Sequence, residues 1–217
     1  KLELYGVKKN KMKLEIIKPF GPSIVKVKMP DDIINEMNNY TDDIINSESK
    51  SKALDFGTQL VGNVHQEFHL DVEFMKKIDW ANFIAKVCAQ WVKHESGKEL
   101  KDFKIIKSWI VRQFKNEYNP AHFHTGHVSG VGYLKVPKNL GTTLQENKKI
   151  NQNGRLELID SSPKMMSKGN FIIHPKVGDF YLFPAYLIHT VYPFTETDEE
   201  RRSVSFNAAL DPVAASI

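Results

Sequence analysis

Phe103-Lys-Ile-Ile-Lys-Ser-Trp-Ile-Val-Arg-Gln-Phe114 is the point at which this chain changes period. Ahead of it apolar residues recur every three or four positions; within and after it they recur every second. Period two puts alternate side chains on opposite faces of an extended strand. More short runs of the same kind follow at Val128 to Val136, Arg155 to Ile159, Phe171 to His174, Phe180 to Phe183, Ala185 to Tyr192 and Arg202 to Leu210. Clusters of Gly, Pro, Asn and Asp separate them. Many short strands divided by turns predict a sandwich or barrel. Helices first and strands afterwards predict an α+β arrangement, with the helices laid on the outer face of the sheet.

Working back from Phe103, the clearest helix covers Leu70 to His94, where Phe74, Ile78, Phe83, Ile84, Val87, Cys88, Trp91 and Val92 form an apolar stripe. Asp79 is placed to cap a restart, and Gly97 to stop the helix. The stripe is read as core packing against the sheet. An earlier helix opens at Pro30-Asp31-Asp32 and carries Ile33, Ile34, Met37 and Tyr40, and Thr41-Asp42-Asp43 is placed to begin a second short turn. Residues 46–70 are polar and irregular, a loop with a short strand near Leu60 and Val61. Asn139 to Asn153 is rich in Lys, Asn, Gln and Thr and reads as an exposed loop. These two segments are where loops gripping a substrate are expected, because loops on a rigid scaffold carry specificity.

Composition excludes several classes. With 217 residues, 41% hydrophobic and 26% charged, the chain is neither disordered nor collagen-like. Its longest nearly unbroken apolar run, Phe180 to Ile188, has a proline inside it, whereas a membrane-spanning helix needs about 20 apolar residues. No apolar stretch near residue 1 has the form of a secretory signal, and the absence of an initial methionine fits removal of a leader or extra residues. A single cysteine, Cys88, excludes an internal disulfide framework and a multi-cysteine zinc site, and predicts a reducing, cytoplasmic setting. A net charge of +4 is too mild to argue for nucleic acid. Only four of the 30 basic residues are arginine: Arg112, Arg155, Arg201 and Arg202. A planar two-point grip on a carboxylate needs arginine, so each deserves inspection.

Histidine carries the chemistry. Three of the eight lie in His122-Phe-His124-Thr-Gly-His127. In an extended strand His122 and His124 present their rings on one face, about 7 Å apart at the backbone, a spacing from which two nitrogens can converge on one ion. His127 is off this spacing and beside a glycine, which suits a surface or supporting place. His189 stands in the apolar run Ala-Tyr-Leu-Ile-His-Thr-Val-Tyr-Pro; an imidazole there needs a partner, either a backbone carbonyl or a metal shared with the other two. Further on, Arg201, Ser203, Ser205 and Asn207 share one strand face, with Arg202, Val204 and Phe206 on the other. A guanidinium with a hydroxyl two residues on suits a small dicarboxylate. Trp109 and Gln113 share a strand face ahead of the histidines and are candidates for a pocket wall, Trp109 equally for the core.

Taken in order, His122-x-His124, Ser129-Gly-Val-Gly-Tyr-Leu134, Gly178 through Phe183-Pro184 to His189, and Arg201-x-Ser203-x-Ser205-Phe-Asn207 resemble the iron(II)- and 2-oxoglutarate-dependent oxygenases. The chain is most similar to their prolyl-hydroxylase-like group from marine phages and bacteria. The resemblance spans about residues 104–211. It implies a double-stranded β-helix, a jelly-roll or cupin-like barrel of two facing sheets, with residues 1–103 as a helical support on its outer face and 1–217 as a single domain. It further implies a metal triad of His122, His124 and His189, and a 2-oxoglutarate site of Arg201, Ser203 and Tyr133. The activity implied is dioxygen-dependent hydroxylation, releasing succinate and carbon dioxide, of a prolyl or other residue in a protein or peptide, or of a small molecule.

Two departures from the family pattern stand out. The second metal ligand is ordinarily an aspartate and here is His124, and Gly132 precedes Tyr133 where relatives often carry a second tyrosine. The 2-His-1-carboxylate set suits iron(II), whereas three neutral imidazoles also describe zinc. Iron is favoured because Arg201 and Ser203 otherwise meet no anion. Two other readings stand beside this one. A cupin-like metal-binding barrel with different chemistry, or binding only, lacks its usual glutamate here, since Thr125, Gly126 and His127 follow the pair. A barrel without metal that serves protein contact makes the histidines incidental.

Overall fold

The computed structural model describes residues 13–211 except 20, 22, 146, 162–164 and 167. Two strands open the described chain, β1 (Glu15–Ile17) and β2 (Ile24–Lys28), ahead of α1 (Asp31–Ile45) and α2 (Glu48–Leu54). After a short 3-10 turn at Gly57–Gln59 come β3 (Gln66–His69), α3 (Val72–Lys77) and α4 (Trp80–Ser96). The strand-rich part is β4 (Phe103–Gln113), β5 (Asn119–His122), β6 (Val128–Lys135), β7 (Leu156–Ile159), β8 (Asn170–Ile173), β9 (Asp179–Pro184), β10 (Ile188–Val191) and β11 (Arg201–Leu210).

They form two antiparallel sheets, ordered β1-β2-β9-β6-β11-β4-β3 and β5-β10-β7-β8. The expected jelly-roll or cupin-like barrel is therefore corrected to an α+β fold with open sheets: no closed barrel and no strongly curled sheet is found among the described residues. Closure needs a ladder of main-chain bonds running all the way round. Here β1, β3, β5 and β8 remain sheet edges. What joins the sheets is apolar burial, with Leu156, Leu158 and Ile173 of the smaller packed in one cluster with Val131, Tyr181 and Phe183 of the larger.

The opposite face of the large sheet holds the main core. Val25, Val27, Ile110, Phe180, Leu182, Val204 and Phe206 meet the apolar stripes of α1 and α4. The α1 stripe is Ile33, Ile34, Met37 and Ile44, and the helix begins with Asp31 and Asp32, whose charges suit its N-terminal dipole. It runs unbroken through Thr41-Asp42-Asp43 because Thr41 is buried, its hydroxyl donating to the Met37 carbonyl at 2.7 Å. The single stripe expected over 70–94 is split, since Asp79 adopts a left-handed conformation (φ 58°) between α3 and α4. Gly97 ends α4 with φ 71°, a value glycine adopts without strain. Two indoles pin this helix to its surroundings: Trp80 Nε1 donates to Ser108 Oγ at 3.1 Å and Trp91 Nε1 to Ser23 Oγ at 2.7 Å.

Within the polar segment 46–70 the strand lies at Gln66–His69 rather than near Leu60 and Val61. No helix of the described residues is long and apolar enough to cross a membrane.

Candidate metal centre and anion pocket

A cavity of about 220 Å³ lies between the two sheets and collects residues from both. His122 ends β5, and His189 is its register partner on β10, so one ladder rung sets two of the three imidazoles side by side. His124 lies past the end of β5, not within an extended strand, and is held by its backbone N–H donating to the Ala185 carbonyl at 2.9 Å. Even so, the three rings converge: their centroids are 4.9, 4.2 and 4.8 Å apart, and one nitrogen from each lies within 4.8 Å of the others.

The backbone fixes their protonation. His122 Nδ1 is 2.6 Å from the Pro120 carbonyl and His189 Nδ1 is 2.9 Å from the Leu187 carbonyl. A carbonyl only accepts, so each Nδ1 carries the proton and each Nε2 offers a lone pair to the centre, the arrangement that prepares a metal ligand. His189 Nε2 and His124 Nε2 approach to 3.2 Å. Burial, then the neighbouring rings, holds His124 down at about 3, and burial with the His122 ring holds His189 at about 4. His122 is lowered too, chiefly by burial. All three are neutral at pH 7, as metal ligation requires. Trp109 stands edge-on to His124, with ring centroids 5.7 Å apart, and belongs to the cavity wall.

Arg201 and Ser203 reach the same cavity from β11. The Arg201 guanidinium is buried with no ion pair among the described residues, and its Nε and Nη2 have no hydrogen-bond partner. Burial lowers its pKa. Tyr133 lies off the cavity wall, fully buried, with the Arg201 guanidinium carbon 5.1 Å from its ring centroid and a hydroxyl without a partner. Burial pushes that phenol up to about 12, so it is a donor. Arg202, on the other face, is tied to Glu200 at 2.7 Å and Asp42 at 2.7 Å. Arg112 also binds Glu200, at 2.9 Å. Adjacent arginines in the sequence thus meet opposite environments.

The remaining predicted positions separate clearly. Gln113 is buried and donates from Nε2 to the Glu117 and Tyr192 carbonyls, at 2.6 and 3.3 Å, away from the cavity wall. His127 accepts at Nδ1 from the Leu210 N–H at 2.9 Å, a tie at the end of β11. Residues 59–62 line the cavity, whereas no described residue of 139–153 does. Among the wall residues not singled out from the sequence are Glu67, Lys107 and Asn119. For Lys107 the signal is its place two residues before Trp109 on one strand face.

The donor set suits the groups that such a site implies. Three neutral nitrogens with lone pairs aimed together suit a divalent cation, and an uncompensated buried guanidinium with unmet donors suits an anion beside it. The arrangement is like the active site of 2-oxoglutarate and iron(II) oxygenases, with three histidines in place of two and a carboxylate.

Comparison with known proteins points the same way. Residues 107–207 match a family profile described as "Putative 2OG-Fe(II) oxygenase". No curated protein sequence matches the chain. Among solved structures, a prolyl-4-hydroxylase from Pseudomonas putida is similar in fold, with TM-score 0.55 at 15% identity over 86% of this chain and 91% of that one. AviO1 from Streptomyces viridochromogenes has TM-score 0.57 at 13% identity, covering 87% of this chain and 90% of its own. A viral collagen prolyl hydroxylase from Paramecium bursaria Chlorella virus-1 has TM-score 0.52 at 15% identity, covering 85% and 94%.

Proposed function

We propose that this chain belongs to the 2-oxoglutarate and iron(II) oxygenase superfamily, related to the prolyl-hydroxylase-like enzymes, and is a hydroxylase that binds iron(II) at its three histidines and 2-oxoglutarate at Arg201. Arg201 carries the reading. A buried guanidinium without a counter-charge is costly unless an anion joins it, and it borders the cavity that the three imidazoles border.

Iron(II) with 2-oxoglutarate and dioxygen supplies oxidative decarboxylation to succinate and carbon dioxide, with one oxygen atom passed to a substrate C–H bond. The chain supplies placement. His122, His124 and His189 hold the metal through nitrogens whose tautomers the backbone fixes for two of the three. Arg201 and Ser203 take the far carboxylate of 2-oxoglutarate, and Tyr133, packed against the Arg201 guanidinium, belongs to the same end of the site. Trp109 and Phe183 wall the site against water. Three imidazoles also suit zinc; iron is preferred because the guanidinium needs the dianion that accompanies it. The substrate class is a prolyl or other residue of a peptide, or a small molecule, and the single, buried Cys88 fits a reducing, cytoplasmic setting. The described residues are read as one domain, in which the helices ahead of residue 104 support sheets that β1, β2 and β3 also help to build.

The test is spectroscopic. Anaerobic protein given iron(II) and 2-oxoglutarate should develop a weak visible charge-transfer band, and admitting air should yield succinate. Absence of both overturns the proposal in favour of a binding-only or different metal chemistry.

A further inference from the structure

One end of the cavity is lined by groups that the oxygenase chemistry leaves idle. Glu67, on β3, is 4% exposed and borders the cavity, and its carboxyl has no hydrogen bond or ion pair among the described residues. Asn119 starts the strand that ends in His122; its Oδ1 is buried, also without a partner. The two oxygens lie close together under Gly62: a Cβ there would clash with Asn119 Oδ1 and stand 3.1 Å from Glu67 Oε1. Two acceptors thus converge with no hydrogen bond made to either among the described residues, and the buried Asn119 oxygen is costly while unmet.

The local charge has the same sense. Burial and then Asp55 push the Glu67 carboxyl up to about 7, against the pull of Lys107. Lys107 makes no ion pair among the described residues; its ammonium lies over the Trp109 and Phe56 rings, 5.2 and 5.7 Å from their centroids. A metal ion is poorly served here, since calcium takes six to eight oxygens and two side chains offer too few. An organic cation brings its own N–H donors and its own charge.

We propose that Glu67 and Asn119 form a subsite for a cationic nitrogen, an ammonium or guanidinium, carried by the substrate next to the group to be hydroxylated. That this ligand is the substrate rests on the oxygenase reading; that the subsite takes a cation does not.

The experiment is calorimetric titration of the protein, without added metal or 2-oxoglutarate, with n-butylammonium, n-butylguanidinium and the neutral n-butanol. The two cations should bind and butanol should not. Glu67→Gln, nearly isosteric and checked for folding by its melting temperature, should weaken cation binding at least tenfold. At pH 9, where Glu67 is ionised in both proteins, Lys107→Met, which removes a competing positive charge, should tighten it severalfold. No cation binding, equal binding of butanol, or unchanged affinity in Glu67→Gln overturns the subsite, as does weaker binding in Lys107→Met. The two readings fail separately. Glu67-dependent cation binding without the iron–2-oxoglutarate band leaves the subsite and removes the oxygenase, and the band without cation binding does the reverse.

Discussion

At the scale of single residues, Arg201 and Arg202 show how one step along a strand changes what a side chain is for. Arg202 bridges Glu200 and Asp42, holding both carboxyls below their ordinary range. Removing it in Arg202→Ala leaves half-buried Glu200 with Arg112 as its remaining partner and should cost about 1.5–3 kcal/mol of stability, read by chemical denaturation, with little change in 2-oxoglutarate requirement. Arg201 has no such partners, so Arg201→Ala should spare stability and raise the apparent KM for 2-oxoglutarate about ten- to a hundredfold, the worth of charged hydrogen bonds at about 1.5–3 kcal/mol. Equal effects on KM would mean that the assignment of strand faces is off by one residue. His124→Asp should keep metal binding and favour iron over zinc, as metal content after dialysis against both would show. The three histidines and Arg201 were legible in the sequence because each sits in a strongly patterned run. Glu67 was not: it lies in the polar segment 46–70, where no period marks a strand, and its facing follows from the register of β3 on β4 (Glu67 opposite Val111).

At the scale of elements, the alternation in β4, β6, β9 and β11 announced the strands, while β1 and β2 went unread although Ile24-Val-Lys-Val-Lys28 alternates. β6 was legible as a strand, but the reason for its two glycines was not. A Cβ on Gly130 would press within 2.8 Å of the Tyr181 carbonyl and into the Phe206 ring. Gly130→Ala should therefore destabilise by about 1–3 kcal/mol through overpacking, measurable as a lower denaturation midpoint. The contact it relieves comes from β9 and β11, both distant in sequence.

At the scale of the whole molecule, buried titrating groups couple stability to pH. The folded His124 and His189 bind protons only near 3 and 4, while the unfolded imidazoles bind them near 6.5. The unfolded state thus takes up more protons between about pH 4 and 6.5, so metal-free stability should fall as pH drops through that window and stay flat in this respect above it. Glu67 acts in the opposite sense. Its folded value of about 7 against 4.5 unfolded means that stability is lost as pH rises through that range, so Glu67→Gln should make the acid-side decline steeper. Thermal melts from pH 4.5 to 8 test both signs. A divalent cation that binds only the folded chain should raise the melting temperature, by the equivalent of about 2.7 kcal/mol at a hundred times its Kd. The rise should vanish in His189→Ala and shrink in acid, where protons compete for the same nitrogens.

Sequence alone marked α1, the stripe of α3 and α4 and most strands from β4 onward, divided β11 into a polar and an apolar face, and named the three imidazoles and the guanidinium as candidates, because these rest on local periodicity and on the chemistry of single side chains. Only the tertiary structure decided that the sheets stay open, that His124 joins the cluster from beyond a strand end, and that Arg201 lacks the counter-ions Arg202 has. It also brought the unmet acceptors Glu67 and Asn119 together. Sheet closure, charge pairing and hydrogen-bond satisfaction all depend on which distant segments become neighbours, and no alternation along the chain encodes that.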